Sequence, residues 1–287
     1  MANIPEHYIV GVIGAGTIGC GVAEALAASG FRTTLVDSSP KSLERGRSTI
    51  SASLRCRRIL GISAGKPEAD IFRCIEFTDE LSKLGACSFV IENITENHLL
   101  KQRLYRELDS ICNRDCIVAP NTSAIPIERF AQWISFADRV VGVHFMNPVP
   151  LTKSVELVRG RQTSEQALQA TVALLHRIGK RAIIVGDGPG FVINRAFMPF
   201  INQAIECLED GVARPAEIDA VFRDCVGHKM GPLETADLIG LDTVMHSLEV
   251  LHKESGNPKY APSRLLVEMV AEGKLGKKTG EGFHQYL

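Results

Sequence analysis

Tyr8-Ile9-Val10-Gly11-Val12-Ile13-Gly14-Ala15-Gly16-Thr17-Ile18-Gly19 opens the 287-residue chain and decides its fold. A short apolar run ends on Ile13, three glycines follow at the spacing G-x-G-x-x-G, and a helix-like stretch runs from Thr17 to Ser29. In that context each glycine has a physical task. Gly14 permits the tight turn out of the strand, Gly16 lets the backbone approach a pyrophosphate, and Gly19 lets the helix pack closely on the strand. The helix N-terminus, at Thr17 and Ile18, offers backbone N–H groups to the anion. A second apolar run, Arg32–Val36, ends at Asp37, 23 residues after Gly14. A carboxylate there accepts hydrogen bonds from ribose hydroxyls and repels a 2′-phosphate, which favours NAD over NADP.

Working outward, apolar runs continue to alternate with helix-like stretches as far as Asp187, at Cys74–Phe77, Ser88–Glu92, Cys116–Ala119, Val140–His144, Val155–Val158 and Ala182–Val185. This alternation predicts parallel strands joined by crossover helices and covered on both faces. After Gly186-Asp187-Gly188-Pro189-Gly190 the texture becomes helical, over 192–208, 215–225, 241–252 and 263–271, with no convincing strand. The expected fold is therefore α/β: a Rossmann-type, doubly wound, mainly parallel sheet over 1–187, then a smaller all-α C-terminal domain over 188–287. In the latter, Phe197, Phe200, Ile201, Ala204, Ile205 and Leu208 recur at three and four residues and predict one buried stripe.

Composition excludes several classes. With 45% hydrophobic and 23% charged residues the chain is neither disordered nor fibrous. A net charge of −1 gives no electrostatic case for nucleic acid or an anionic membrane. The eight cysteines lack any Cys-x-x-Cys pair, so no metal site is expected, and scattered free thiols favour a reducing cytoplasm. Neither a signal peptide nor a run of about 18 apolar residues is present, so no membrane span is expected.

Binding a dinucleotide is not a reaction, and the candidates for chemistry lie where the later strands end. Asn121-Thr122-Ser123 is one polar cluster, and His144-Phe145-Met146-Asn147-Pro148 is another, with Glu156 in the next strand. Hydride loss from a secondary alcohol requires removal of its hydroxyl proton, for which an imidazole is suited near neutral pH. Glu156 is placed to orient that imidazole and stabilise its cation.

The ordered motifs GAGTIG (14–19), ITENHLLK (94–101), PNTSA (120–124), HFMNPVP (144–150), VELV (155–158), GDGPGFVINR (186–195), MGPLETADLIGLD (230–242) and GKKTGEGF (276–283) span essentially the whole chain. On these the sequence resembles the short-chain L-3-hydroxyacyl-CoA dehydrogenases, close to 3-hydroxybutyryl-CoA dehydrogenases. The resemblance implies an NAD-dependent oxidoreductase that interconverts 3-hydroxyacyl and 3-oxoacyl thioesters, acting as a homodimer through the C-terminal domain. It implies His144 as general base with Glu156 as its partner, and Ser123 and Asn194 on the substrate oxygens. Glu96, Lys101, Asn147 and Lys278 become cofactor contacts; without the resemblance, Glu96 and Lys101 read as a solvated helix pair. Ser53 matches a coenzyme A contact, whereas Leu60 stands where the family has a lysine.

That departure, with Arg55, Arg57 and Arg58 beside it, leaves open an acyl-carrier-protein thioester in place of acyl-CoA. His228-Lys229, where the family commonly has an aromatic residue and a proline, adds a possible preference for a polar acyl group. Both features resemble the polyketide-pathway dehydrogenases that oxidise a carrier-bound glyceryl group toward an extender unit. A third reading, of another class, is a non-catalytic NAD-binding structural or sensing protein.

Overall fold

The computed structural model describes residues 8–286. The apolar runs form strands β1 (Ile9–Ile13), β2 (Arg32–Val36), β3 (Ile75–Thr78), β4 (Phe89–Glu92), β5 (Ile117–Pro120), β6 (Gly142–His144), β7 (Ser154–Arg159) and β8 (Arg181–Gly186). Helices in this part are α1 (Thr17–Ala28), α2 (Pro40–Ile59), α3 (Glu68–Arg73), α4 (His98–Ile111), α5 (Ile127–Ala131) and α6 (Glu165–Arg177). Local chemistry sets several of their starts. Ser39 accepts a bond from the Ser42 amide with Pro40 in the first turn of α2, Asn97 accepts from Leu99 and Leu100 at α4, and Ser164 accepts from Ala167 at α6.

β1 to β5 form one all-parallel sheet in the order β3-β2-β1-β4-β5. The order reverses between β1 and β4, and the crevice at the carboxyl ends of those strands is where open α/β sheets take their ligands. Val10, Val12, Leu35, Phe89 and Ile91 are buried in its core. β6, β7 and β8 form a second sheet, joined to β5 by parallel bridges at Val118–Val140 and Asn121–Val143.

One strand pair departs from the mainly parallel arrangement. β6 pairs with β7 antiparallel, because only the turn 145–153 connects them and no crossover helix intervenes. β8 also departs from the expectation of two covered faces: it lies at the sheet edge with Ile183 44% and Ile184 50% exposed.

The chain divides into two compact units. One holds the residues up to Thr122 with Pro126–Asp187, and the other holds Ser123–Ile125 with Gly188–Leu287. The second unit comprises α7 (Ile193–Glu209), α8 (Pro215–Ala220), α9 (Pro232–Ile239), α10 (Leu241–Ser255) and α11 (Arg264–Ala271). The helix expected over 215–225 is α8 followed by a π-helical turn, Val221–Cys225. α9 was missed, since Pro232 at its first turn and Gly240 at its end leave eight residues, too few to show a period. On α7, Ile201, Ala204 and Ile205 are buried with Met198, whereas Phe197, Phe200 and Leu208 pack at the margin. Among the described residues no helix is long and apolar enough to cross a membrane, and no cluster of metal-ligating side chains occurs.

Candidate active site and its relatives

The glycine turn is built as its residue types require. Gly14 has φ +93°, and a Cβ on it would lie 2.8 Å from the Asn93 carbonyl oxygen. A Cβ on Gly19 would lie 1.8 Å from the Gly14 oxygen, so strand and helix meet only because both are glycine. Around Gly16, by contrast, a Cβ would meet nothing within 4 Å. Gly16 caps α1 without a side chain, leaving the first turn at Thr17 and Ile18 open to an anion. Asp37 is fixed by its own hydrogen bonds: Oδ2 accepts from the Ala15 amide at 2.8 Å and Oδ1 from the Ser39 amide at 2.9 Å. These groups line a cavity of about 830 Å³ that also presents Arg45 from α2 and Arg103 from α4. A bare glycine, an anchored carboxylate and that volume fit the adenosine and pyrophosphate of a dinucleotide.

At the same carboxyl edge an amide ladder ties three strands together. Asn93 accepts from Asn121 at 2.9 Å, and the Asn121 oxygen accepts from the Phe145 amide at 3.0 Å. This fixes the chain just after β6, where His144 sits. His144 faces Glu156 directly across the β6–β7 pair, and Nδ1 lies 2.7 Å from Oε2, both side chains being buried. In a neutral ring whose Nδ1 donates to Glu156, Nε2 carries the lone pair.

The other expected site residues fall into distinct settings. Lys101 is not a solvated helix residue. It is wholly buried, with Nζ 2.7 and 2.9 Å from the two oxygens of Glu92 and 3.4 Å from Glu96. The helix period concealed this, because Glu92 lies at the end of β4 and only the fold brings it to α4. Burial pushes the Glu92 carboxyl up, and Lys101 opposes the shift. Glu96 also accepts from the Thr122 hydroxyl. Asn147 is exposed on the turn after β6, and Ser53 is half-buried on α2. Within the second unit, the Asn194 amide donates to the Ser123 carbonyl at 2.9 Å, and Lys278 pairs with Asp242 at 2.5 Å. His228 packs 5.8 Å from the Phe200 ring and 5.6 Å from the Phe222 ring, beside an apolar groove of about 490 Å³ that includes Val192 and Phe197.

The family described as "3-hydroxyacyl-CoA dehydrogenase, NAD binding domain" matches residues 9–188, and "3-hydroxyacyl-CoA dehydrogenase, C-terminal domain" matches residues 190–286. The chain belongs to the 3-hydroxyacyl-CoA dehydrogenase family. Its cofactor is NAD. It is 43% identical to a probable 3-hydroxybutyryl-CoA dehydrogenase of Deinococcus radiodurans over 96% of this chain and 99% of the relative. It is 39% identical to the 3-hydroxybutyryl-CoA dehydrogenase of Bradyrhizobium diazoefficiens over 96% of this chain and 94% of that one. The crystal structure of an (S)-3-hydroxybutyryl-CoA dehydrogenase of Ralstonia eutropha superposes with a TM-score of 0.90 at 42% identity, covering 97% and 99% of the two chains.

The residues that sequence reasoning missed in this dehydrogenase are supporting ones. Asn93, Glu92, Arg45 and Arg103 carry no motif, and each was visible only as a polar residue at a strand end or on an amphipathic helix. The place of Asp37 gives a direct test of cofactor choice. Asp37→Ser removes the anchored carboxylate of this cavity and is expected to lower the preference for NAD⁺ over NADP⁺, read as the ratio of the two kcat/KM values, by on the order of 10-fold or more. An unchanged ratio refutes the assignment.

Proposed function

We propose that this member of the family interconverts a short-chain 3-hydroxyacyl thioester and its 3-oxoacyl thioester, with His144 as the general base. The observation that carries this reading is the buried 2.7 Å contact between His144 Nδ1 and Glu156 at the carboxyl edge of the sheet. In the oxidative direction His144 Nε2 takes the proton of the substrate hydroxyl. Glu156, opposite Nδ1, stabilises the imidazolium that forms and holds the ring's orientation. Ser123 and Asn194 hold the substrate oxygens, and Glu96, Asn147 and Lys278 orient the cofactor. NAD, when bound, supplies the hydride acceptor. In the reductive direction the protonated imidazole returns its proton to the carbonyl oxygen.

The substrate for which these relatives are named, together with their near-complete coverage, supports a 3-hydroxybutyryl-sized acyl group on coenzyme A. Purified protein mixed with acetoacetyl-CoA and NADH is expected to consume the reduced cofactor, followed by its absorbance. Cofactor binding without turnover on coenzyme A or carrier-linked substrates would leave only a nucleotide-binding protein. We also propose a cytoplasmic homodimer joined through the second unit, whose exposed Val192, Val221 and Val226 suit a second copy.

One observation favours a second reading of the thioester handle. From Ser48 to Pro67 the chain carries Arg55, Arg57, Arg58 and Lys66 and no acidic residue, although its net charge is −1. Arg57 is held by Glu24 at 2.9 Å and by the Ser63 carbonyl at 2.6 Å. Arg55, Arg58 and Lys66 remain around Ile59, Leu60 and Ile62, which are 79%, 58% and 40% exposed. Aliphatic side chains with a basic rim suit an acidic protein surface better than a nucleotide alone. If the handle is a carrier protein, 3-hydroxybutyryl-loaded acyl carrier protein gives a higher kcat/KM than 3-hydroxybutyryl-CoA, and Arg58→Glu abolishes the difference. Equal or reversed values assign the site to coenzyme A.

A further inference from the structure

We propose that Lys180 and Gly21 are positioning residues for the catalytic turn, clamping the segment Asn147–Thr152 at two points so that His144 and Asn147 keep their places. The inference rests on the proposed roles of those two residues. The turn closes on itself: the Leu151 and Thr152 amides donate to the Pro148 carbonyl at 3.1 and 3.0 Å, and the Thr152 hydroxyl donates to the same oxygen at 2.9 Å. Such a closed loop is rigid internally, but those bonds do not fix it to the sheet. Its amino-terminal end is held by the bond from Phe145 to Asn121.

At the turn's carboxyl end the Lys153 carbonyl accepts from the Arg181 amide at 2.8 Å, and a further attachment comes from Lys180. This residue lies between α6 and β8, far from the turn in sequence, and its side chain is 6% exposed. Its Nζ donates to the Val149 carbonyl and to the Thr152 carbonyl, both at 2.6 Å. An ammonium has three donors, and among the described residues no carboxylate pairs with this one, so its charge meets two carbonyls of a single turn. Burying it costs free energy: burial, with the Arg57 guanidinium as a lesser cause, depresses its pKa. A charge placed at such cost, with both bonds on the turn, is explained by the turn.

Gly21 makes the second contact. It lies in α1, the helix that starts at the nucleotide-binding glycines, and a Cβ there would lie 2.9 Å from Val149 Cβ and 3.4 Å from Pro150 Cδ. The turn therefore rests directly on the backbone of α1, so the same helix that meets the pyrophosphate also supports Asn147. This contact sets the turn's depth, and Lys180 sets its tether.

The test compares Lys180→Met, which keeps the aliphatic stem without donors, with Lys180→Arg, which keeps them, and with Gly21→Ala. Alanine is the better helix former, so Gly21→Ala is expected to fold whatever happens to Lys180→Met. Lys180→Met should accelerate amide hydrogen exchange in 146–152 and lower kcat/KM for NAD⁺ by roughly 10- to 100-fold well below the melting temperature, because small displacements of a positioned group cost rate steeply. Lys180→Arg should recover part of both effects, and Gly21→Ala should raise KM for NAD⁺ with little loss of thermal stability.

A lysine needed only for stability would lower the melting temperature and leave kinetics within twofold; that result, or exchange in 146–152 unchanged, overturns the proposal. Exchange is read without turnover. An active His144→Gln enzyme would therefore overturn the assignment of the base while leaving the clamp to be judged on exchange and NADH affinity.

Discussion

Replacing His144 with glutamine lowers kcat for oxidation of 3-hydroxybutyryl-CoA by on the order of 10²–10⁴, while the dissociation constant for NADH stays within a few-fold of wild type. The split follows from where the ring sits. His144 ends β6 with Nδ1 directed at Glu156, whereas the glycine turn, Asp37 and the large cavity belong to β1, β2 and the helices around them. Loss of the imidazole thus removes the proposed proton acceptor and leaves the glycine turn and Asp37 in place. A glutamine amide preserves approximate shape and hydrogen bonding to Glu156 but takes no proton.

Near-normal turnover in the variant would require another base.

The legibility of this site follows the range over which each physical constraint acts. The nucleotide half is written locally: the turn, the bare approach and the close helix packing need particular residues within six positions, and 14–19 supplies them in order. Asp37 follows from one further strand. His144 and Glu156 could be proposed because each ends or occupies a recognisable apolar run, yet their contact depends on β6 and β7 being antiparallel, a pairing that a mainly parallel expectation allowed but did not locate. It took a nine-residue turn without a helix to reverse the chain, a feature of length rather than motif. Lys180, Glu92 and Asn93 were illegible for a different reason. Their partners are backbone carbonyls, or side chains brought near by sheet order, and neither leaves a periodic trace. Ser123 and Asn194, 71 residues apart, share a hydrogen bond for the same reason.

Lys101→Met should destabilise the protein by about 3–5 kcal/mol at neutral pH, an effect of buried charge and not of lost cofactor contact. Glu92 and Lys101 are both fully buried. Beyond the lysine, Glu92 Oε1 accepts from the Ile94 amide at 2.7 Å. Removing the ammonium strands a carboxylate that burial already pushes upward. That carboxylate must then either stay charged without its counter-ion or take up a proton at neutral pH.

The sign with pH follows from the direction of that shift. A carboxyl whose folded pKa lies above its unfolded value binds more protons in the folded state, so stability falls as pH rises between the two values. Loss of Lys101 raises the folded value further and widens that window, so the deficit of the variant is greatest at neutral pH and shrinks on acidification. Urea unfolding at several pH values measures it, and Glu92→Gln in the Lys101→Met background should recover much of the loss, since it removes the stranded charge. A lysine kept solely to touch NAD would behave otherwise: stability would change by less than about 1 kcal/mol, as for an unremarkable surface site, and only KM for NAD⁺ would rise.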